Sequence, residues 1–164
     1  MIKKINILIL TMFGVGKSNY APGTVASFLT CLIFIFFYNL KINILMLLSI
    51  VVLIFIFSVY SIDAYKKSFS SIDAKEIVID EFIGQSIPLL TIYNFIEKNN
   101  SNHFILYTFI SFVLFRLFDI WKPYPINKID QKIKNGFGVI LDDIVAGIYT
   151  IVILLTIIFF INNV

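Results

Sequence analysis

The residues from Ile42 to Tyr60 contain no charged side chain. A helix needs roughly 20 apolar residues to cross a bilayer core about 30 Å thick. Four further segments are predominantly apolar. Thr24 to Leu40 is entered through Ala21-Pro22-Gly23, and Pro is tolerated at a helix start because its missing N–H would be unpaired there anyway. His103 to Phe118 is a fourth candidate and Val139 to Ile161 a fifth, the latter with Asp142 and Asp143 in its first turn or two. Phe82 to Phe95 is short and holds Pro88, so it reads as a kinked span or a re-entrant segment. Of the 164 residues, 59% are hydrophobic and 14% charged, whereas a soluble domain has about 25% charged residues. One soluble core cannot absorb that excess. The chain reads as an all-α, multi-pass membrane bundle of four or five helices, with residues 1–164 as one domain.

The basic residues set the topology, because Lys and Arg accumulate in cytoplasmic loops. With all five segments crossing, Lys3, Lys4, Lys17, Lys66, Lys67, Lys75, Arg116, Lys122, Lys128, Lys132 and Lys134 share one side. Only Lys41 and Lys98 fall on the other. This split of 11 to 2 favours a cytosolic N-terminus and argues that the short segment crosses, or that another adjustment restores the same sidedness. Asp63, Asp73, Glu76, Asp80, Glu81, Asp119, Asp130, Asp142 and Asp143 sort to the same side, leaving only Glu97 outside. Acidic residues obey no sidedness rule, so one cytosol-facing polar site is the simplest cause. The net charge of +3 comes without a dense basic run and gives no reason to expect nucleic acid. Cys31 is the single cysteine, a packing residue that excludes disulfides within the chain. Lys3 and Lys4 precede only a short apolar stretch with no cleavage-type site after it, so no cleavable signal peptide is expected.

Two acidic pairs, Asp80-Glu81 and Asp142-Asp143, stand directly against apolar runs. Carrying a carboxylate toward the bilayer centre costs on the order of 3 kcal/mol, so such residues are rare and usually functional. Carboxylate oxygens are the ligands that hard cations such as Mg²⁺ take. Asp73, Glu76 and Asp80 are spaced to share a helix face, although a solvated helix start favoured by the dipole has the same spacing. Arg116, Asp119 and Lys122 repeat every three residues just before Pro123. Arg presents a planar fork to phosphate and Lys a point charge; a snorkelling anchor paired through Asp119 fits the same pattern. Trp121 and Tyr124 suit the headgroup level. In the stretch from Asn135 to Gly147, Gly136 and Gly138 permit a tight turn and Gly147 lets another helix come near.

Other signals fail. Gly14-Val15-Gly16-Lys17-Ser18 ends like a phosphate-binding loop, but Thr11 stands where its first glycine is needed. No Asp-x-Asp occurs. His103 is the only histidine and sorts to the external side, which excludes a histidine nucleophile at the polar site.

Four blocks, in this order, resemble the phosphatidylglycerophosphatase A family: Ala21 to Ser27, Asp73 to Gly84, Phe115 to Ile126, and Gly136 to Gly147. The resemblance implies a Mg²⁺-dependent lipid phosphatase of the bacterial inner membrane, with its active site facing the cytosol. Its phospholipid substrate would be phosphatidylglycerophosphate, hydrolysed to phosphatidylglycerol and inorganic phosphate. On that basis Asp80, Glu81, Asp142 and Asp143 are expected to hold the metal. Arg116 and Lys122 are expected to clamp the phosphate, with Thr24 adding its hydroxyl and backbone N–H at a helix start. Asp80, Asp119 and Asp143 are the expected catalytic set. Asp119 completes the metal shell, orients Lys122, or acts as base or nucleophile. The competing class is a small channel or transporter subunit with carboxylates on an ion path, which calls for acids near the midplane and on both sides. A lipid alcohol-phosphotransferase also uses Asp clusters and Mg²⁺, but its long signature is missing from the sequence.

Overall fold

The computed structural model describes residues 2–65, 74–99 and 103–162, all of whose regular structure is helical. Among the described residues there are seven α-helices: α1 (Ile2–Leu10), α2 (Pro22–Asn39), α3 (Ile44–Tyr65), α4 (Ile79–Asn99), α5 (Phe104–Trp121), α6 (Ile126–Lys132) and α7 (Gly136–Asn162). A 3-10 turn, Val15–Lys17, sits between α1 and α2. Four of these helices, α2, α3, α5 and α7, are long and apolar enough to cross a membrane.

The segment that looked too short is the centre of the molecule. Instead of stopping at Phe95 or breaking at Pro88, α4 runs 21 residues as one helix, about 31 Å at 1.5 Å per residue. It touches α2, α3, α5 and α7. Because the other helices cover it, α4 can carry Gln85 and Ser86 fully buried. The outer helices show the complementary pattern, with Val52, Phe109 and Phe159 turned outward and Ser27, Thr30, Ser58, Ser111 and Thr150 turned inward. Small and hydroxyl residues let membrane helices approach closely. Ser27, Thr30, Ser86 and Thr150 each donate to the carbonyl four residues back, so their hydroxyls are satisfied within their own helices.

The tightest approach is between α4 and α7. Proline has no N–H, so Pro88 leaves the Gly84 carbonyl without its usual helical donor. Gly147 lies against that carbonyl: a Cβ there would stand 2.6 Å from the Gly84 oxygen. In return, a Cβ on Gly84 would stand 2.8 Å from both the Cβ and the carbonyl oxygen of Asp143. A second close approach fixes the start of α7. The Gly136 N–H donates to Asp63 Oδ1 of α3 at 2.9 Å, and the Gly138 N–H to Asn135 Oδ1 at 2.8 Å. Gly136 and Gly138 therefore lie inside the first turn of α7, not in a turn before it. The α3 backbone at Val59 occupies the space that a side chain on Gly136 would need.

Successive long helices alternate in direction. The starts of α2, α4 and α7 and the ends of α3 and α5 consequently meet at one end of the bundle. The opposite end is closed by aromatic packing, with Tyr38 stacked on Phe104 at 4.1 Å. His103 lies at that far end, just before α5.

Replacing Gly147 with Ala forces backbone against backbone, because the obstructing atom is a carbonyl. Gly147→Ala is expected to lower stability by about 1–3 kcal/mol, the usual cost of overpacking. A fall in thermal unfolding temperature of the detergent-solubilised protein checks this.

Candidate active site

At the end where the five long helices meet, a cavity of about 820 Å³ opens. It is lined by Pro22 and Gly23 from α2, Asp80 and Glu81 from α4, Arg116 and Asp119 from α5, Lys122 just beyond α5, and Asp142 and Asp143 from α7. The connecting segments add Gly16, Lys17, Ser18 and Asn19 on one side and Ala74 to Ile77 on the other.

Asp80, Glu81 and Asp143 converge. One carboxylate oxygen from each lies within 4.8 Å of the others. Asp80 is 8% exposed and Asp143 is 4% exposed. The α4–α7 crossing explains the convergence: Asp80 is one turn before Gly84, and Asp143 one turn before Gly147. Contact at the glycines brings the two acids together at the next level of the bundle. Glu81 reaches them across the start of α2, where a Cβ on Gly23 would collide with Glu81 Oε1 and lie 3.3 Å from an Arg116 terminal nitrogen. Only a glycine leaves room for both.

Arg116 is held through one terminal nitrogen. A terminal nitrogen lies 2.6 Å from Asp119 Oδ2 and donates to Ser27 Oγ at 3.4 Å. Lys122 does not continue the helical face of Arg116 and Asp119. Its φ is 45°, in the left-handed region, and it caps α5 ahead of Pro123. That turn carries its ammonium to Asp142 Oδ2 at 2.8 Å and Asp130 Oδ1 at 3.2 Å. Burial works against the charged form of Lys122. The hydrogen bond and charge of Asp142, followed by those of Asp130, outweigh it and hold the pKa above the ordinary lysine value. Lys122 is thus a fixed positive charge across the working pH range.

The arrangement fits a divalent cation. Asp80 Oδ1 and Glu81 Oε2 are buried without any hydrogen-bond partner, a state that is costly unless something binds them. Six acidic and four basic side chains line the cavity, so positive charge is in deficit. Oxygen-only donors suit a hard cation. Asp142, expected among the ligands, stands outside this threesome; its Oδ2 is committed to Lys122 and its Oδ1 is buried without a partner. Asp119 is paired with Arg116, and the orientation of Lys122 falls to Asp142 and Asp130 instead.

The remaining expectations are met unevenly. Thr24 does not line the cavity; Pro22 and Gly23 of the same helix start do. Glu76 lines it from a turn, not from the first turn of α4. At the start of α4 the Val78 N–H donates to the Leu10 carbonyl, and Gly16 packs on the Glu76 carbonyl. Asp73, Lys66 and Lys67 lie outside the described residues. Sequence reasoning missed Asp130, Ser27 and the cavity-lining Lys17 and Lys75. The glycine-and-lysine run at Gly14–Ser18 was the signal available for Lys17.

A comparison with known proteins supplies the remaining observation. The family model for phosphatidylglycerophosphatase A matches residues 8–158. The chain belongs to the phosphatidylglycerophosphatase A family. Among relatives of this family, a Haemophilus influenzae phosphatidylglycerophosphatase A is 33% identical over 161 residues, covering 95% of this chain and 93% of its own. An Escherichia coli phosphatidylglycerophosphatase A is 34% identical over 142 residues, covering 86% and 76%. A Bacteroides thetaiotaomicron protein, provisionally named a phosphatidylinositol-3-phosphatase, is 35% identical over 150 residues and 90% of each chain. No solved structure matches the chain.

Gly23 separates site geometry from fold stability, because the atoms a Cβ would strike belong to flexible side-chain ends. Gly23→Ala is expected to unfold at nearly the wild-type temperature. Displacement of Glu81 and Arg116 is expected to cut phosphate release from a phospholipid phosphomonoester by about tenfold or more, since small misplacements of reacting groups cost up to about 100-fold.

Proposed function

We propose that this chain is a Mg²⁺-dependent phosphatidylglycerophosphatase of the bacterial inner membrane, with its active site at the cytosolic face. It removes the terminal phosphate of phosphatidylglycerophosphate to leave phosphatidylglycerol. The observation that carries this reading is the joint presence, in a member of this family, of three converging carboxylates and two fixed cations in one cavity. Crowding of the acids at one end of the bundle argues against an ion path through it. The 11-to-2 split of basic residues supports a cytosolic orientation for that end.

Asp80, Glu81 and Asp143 would hold Mg²⁺, which supplies Lewis acidity toward phosphoryl oxygens when bound. Arg116 presents its fork to the non-bridging oxygens, already oriented by Asp119 and Ser27. Preset donors of this kind stabilise charge as it develops without needing to reorganise. Lys122 adds a point charge and, being fixed as an ammonium, is not a base. Hydrolysis breaks the bond from phosphorus to the glycerol oxygen and forms one to the oxygen of water. A water proton ends on the departing alkoxide. Asp119 is the proposed proton acceptor or nucleophile. Rapid quench with labelled substrate separates the two roles, since only attack by an aspartate leaves a phosphoenzyme.

The Bacteroides relative's name gives a second lipid, phosphatidylinositol 3-phosphate. It shares the same chemistry, a phosphomonoester on a phospholipid headgroup.

Purified protein assayed with both lipids tests the reading. Phosphate release from phosphatidylglycerophosphate is expected to need Mg²⁺, to stop with chelator, and to exceed release from the inositol lipid. Asp80→Asn with Asp143→Asn is expected to abolish it, and activity that survives chelation or this double change would sink the mechanism. Arg116→Lys keeps the charge but loses the fork. It is expected to lower kcat by about 100-fold, in the range of losing one preset donor.

A further inference from the structure

The structure assigns to Asp130 of α6 the role of a positioning residue for Lys122. The assignment rests on the phosphatase reading of the cavity, and nothing in the sequence blocks pointed to it.

A lysine ammonium has three N–H donors and no acceptor. Two of the three are spoken for. Asp142 Oδ2 takes one at 2.8 Å and Asp130 Oδ1 lies at 3.2 Å. With two directions fixed by carboxylates on different helices, the third donor has a defined direction, and Lys122 lines the cavity. One partner alone would leave the ammonium free to swing about a single bond on its four-carbon stem.

The two partners differ in kind. The Asp142 side chain is 8% exposed and belongs to the rigid start of α7, whereas the Asp130 side chain is 29% exposed. Asp130 does not line the cavity, so it acts through Lys122 and not on the substrate. Its helix is only seven residues long yet is anchored firmly. Ile126 is fully buried, and the Tyr149 hydroxyl donates to the Tyr124 carbonyl at 2.9 Å. The left-handed conformation at Lys122 makes the arrangement possible, since it turns the chain after α5 so that α6 comes back beside the ammonium. For a non-glycine residue that conformation costs roughly 1–2 kcal/mol, and non-glycine residues held this way cluster at functional sites.

A double-mutant cycle tests the assignment, using the full chain in mixed micelles with Mg²⁺ and phosphatidylglycerophosphate. Asp130→Asn is expected to lower kcat/KM about tenfold in the wild-type background, within the range set by misplacing a reacting group. Asp130→Glu is expected to recover activity to within about threefold of wild type, since it restores a carboxylate to the same ammonium. In the Lys122→Met background, Asp130→Asn is expected to change kcat/KM by less than about twofold, because coupled residues are non-additive. An equal loss in both backgrounds would mean that Asp130 supports the fold alone, and would overturn the assignment. So would a Glu variant as impaired as the Asn variant. The same cycle read on inorganic phosphate binding by calorimetry covers a Lys122→Met protein too slow to assay. A wild-type protein that releases no phosphate from this lipid would instead count against the phosphatase reading, and the binding cycle would still decide the role of Asp130.

Discussion

The closest contact between α4 and α7 holds the rest in place. Pro88 removes a donor from α4, Gly84 offers the freed carbonyl, and Gly147 brings α7 down onto it. Two helices that meet without side chains between them have little freedom in register. Residues one turn along each helix are then fixed as a pair, and those residues are Asp80 and Asp143. Burying two acids beside one another is unfavourable by itself. The glycine contact opposes that repulsion through close packing of the backbones, so two carboxylates that could hold a metal ion are kept near each other.

The cations are built on a different plan. Arg116 and Lys122 are each braced by two partners drawn from separate elements. Asp119 and Ser27 brace Arg116; Asp142 and Asp130 brace Lys122. Every long helix but α3 places a side chain on the cavity, and α3 acts through Asp63, which caps α7. Charge in the cavity is therefore distributed with little slack, as a site that must recognise a multiply charged headgroup requires. The turn bearing Lys17 and the turn bearing Lys75 line the cavity, and neither lysine has an ion pair among the described residues.

Much of this was legible in residue patterns. Apolar runs located the long helices to within a few residues, and the basic asymmetry argued that the short segment crosses or that another adjustment restores the same sidedness. The acidic pairs and the Arg116–Lys122 stretch named seven of the ten charged residues that line the cavity. The misses have physical causes. Periodicity placed Lys122 on a helix face because a non-glycine residue in left-handed conformation has no sequence signature. Thr24 drew attention as a hydroxyl at a helix start, whereas the cavity is lined by Pro22 and Gly23 of the same turn. Asp130 lies on a seven-residue helix whose partner is fixed by tertiary packing alone. Asp142 looked equivalent to Asp143, but adjacent helical residues point about 100° apart, so only one of them faces α4.

The buried position of α4 has a consequence for how the protein reaches the membrane. Alone among the long helices, α4 is not apolar enough in composition to count as a span. Outward-facing residues give its neighbours their affinity for lipid; α4 presents its surface to protein instead. Released by itself into a bilayer, it would expose Asp80, Glu81, Gln85 and Ser86 to hydrocarbon, each at a cost. In the chain, α2 and α3 precede it and pack against it, while α5 follows within a few residues. The site chemistry that makes α4 polar also makes its membrane integration a cooperative act of the whole bundle.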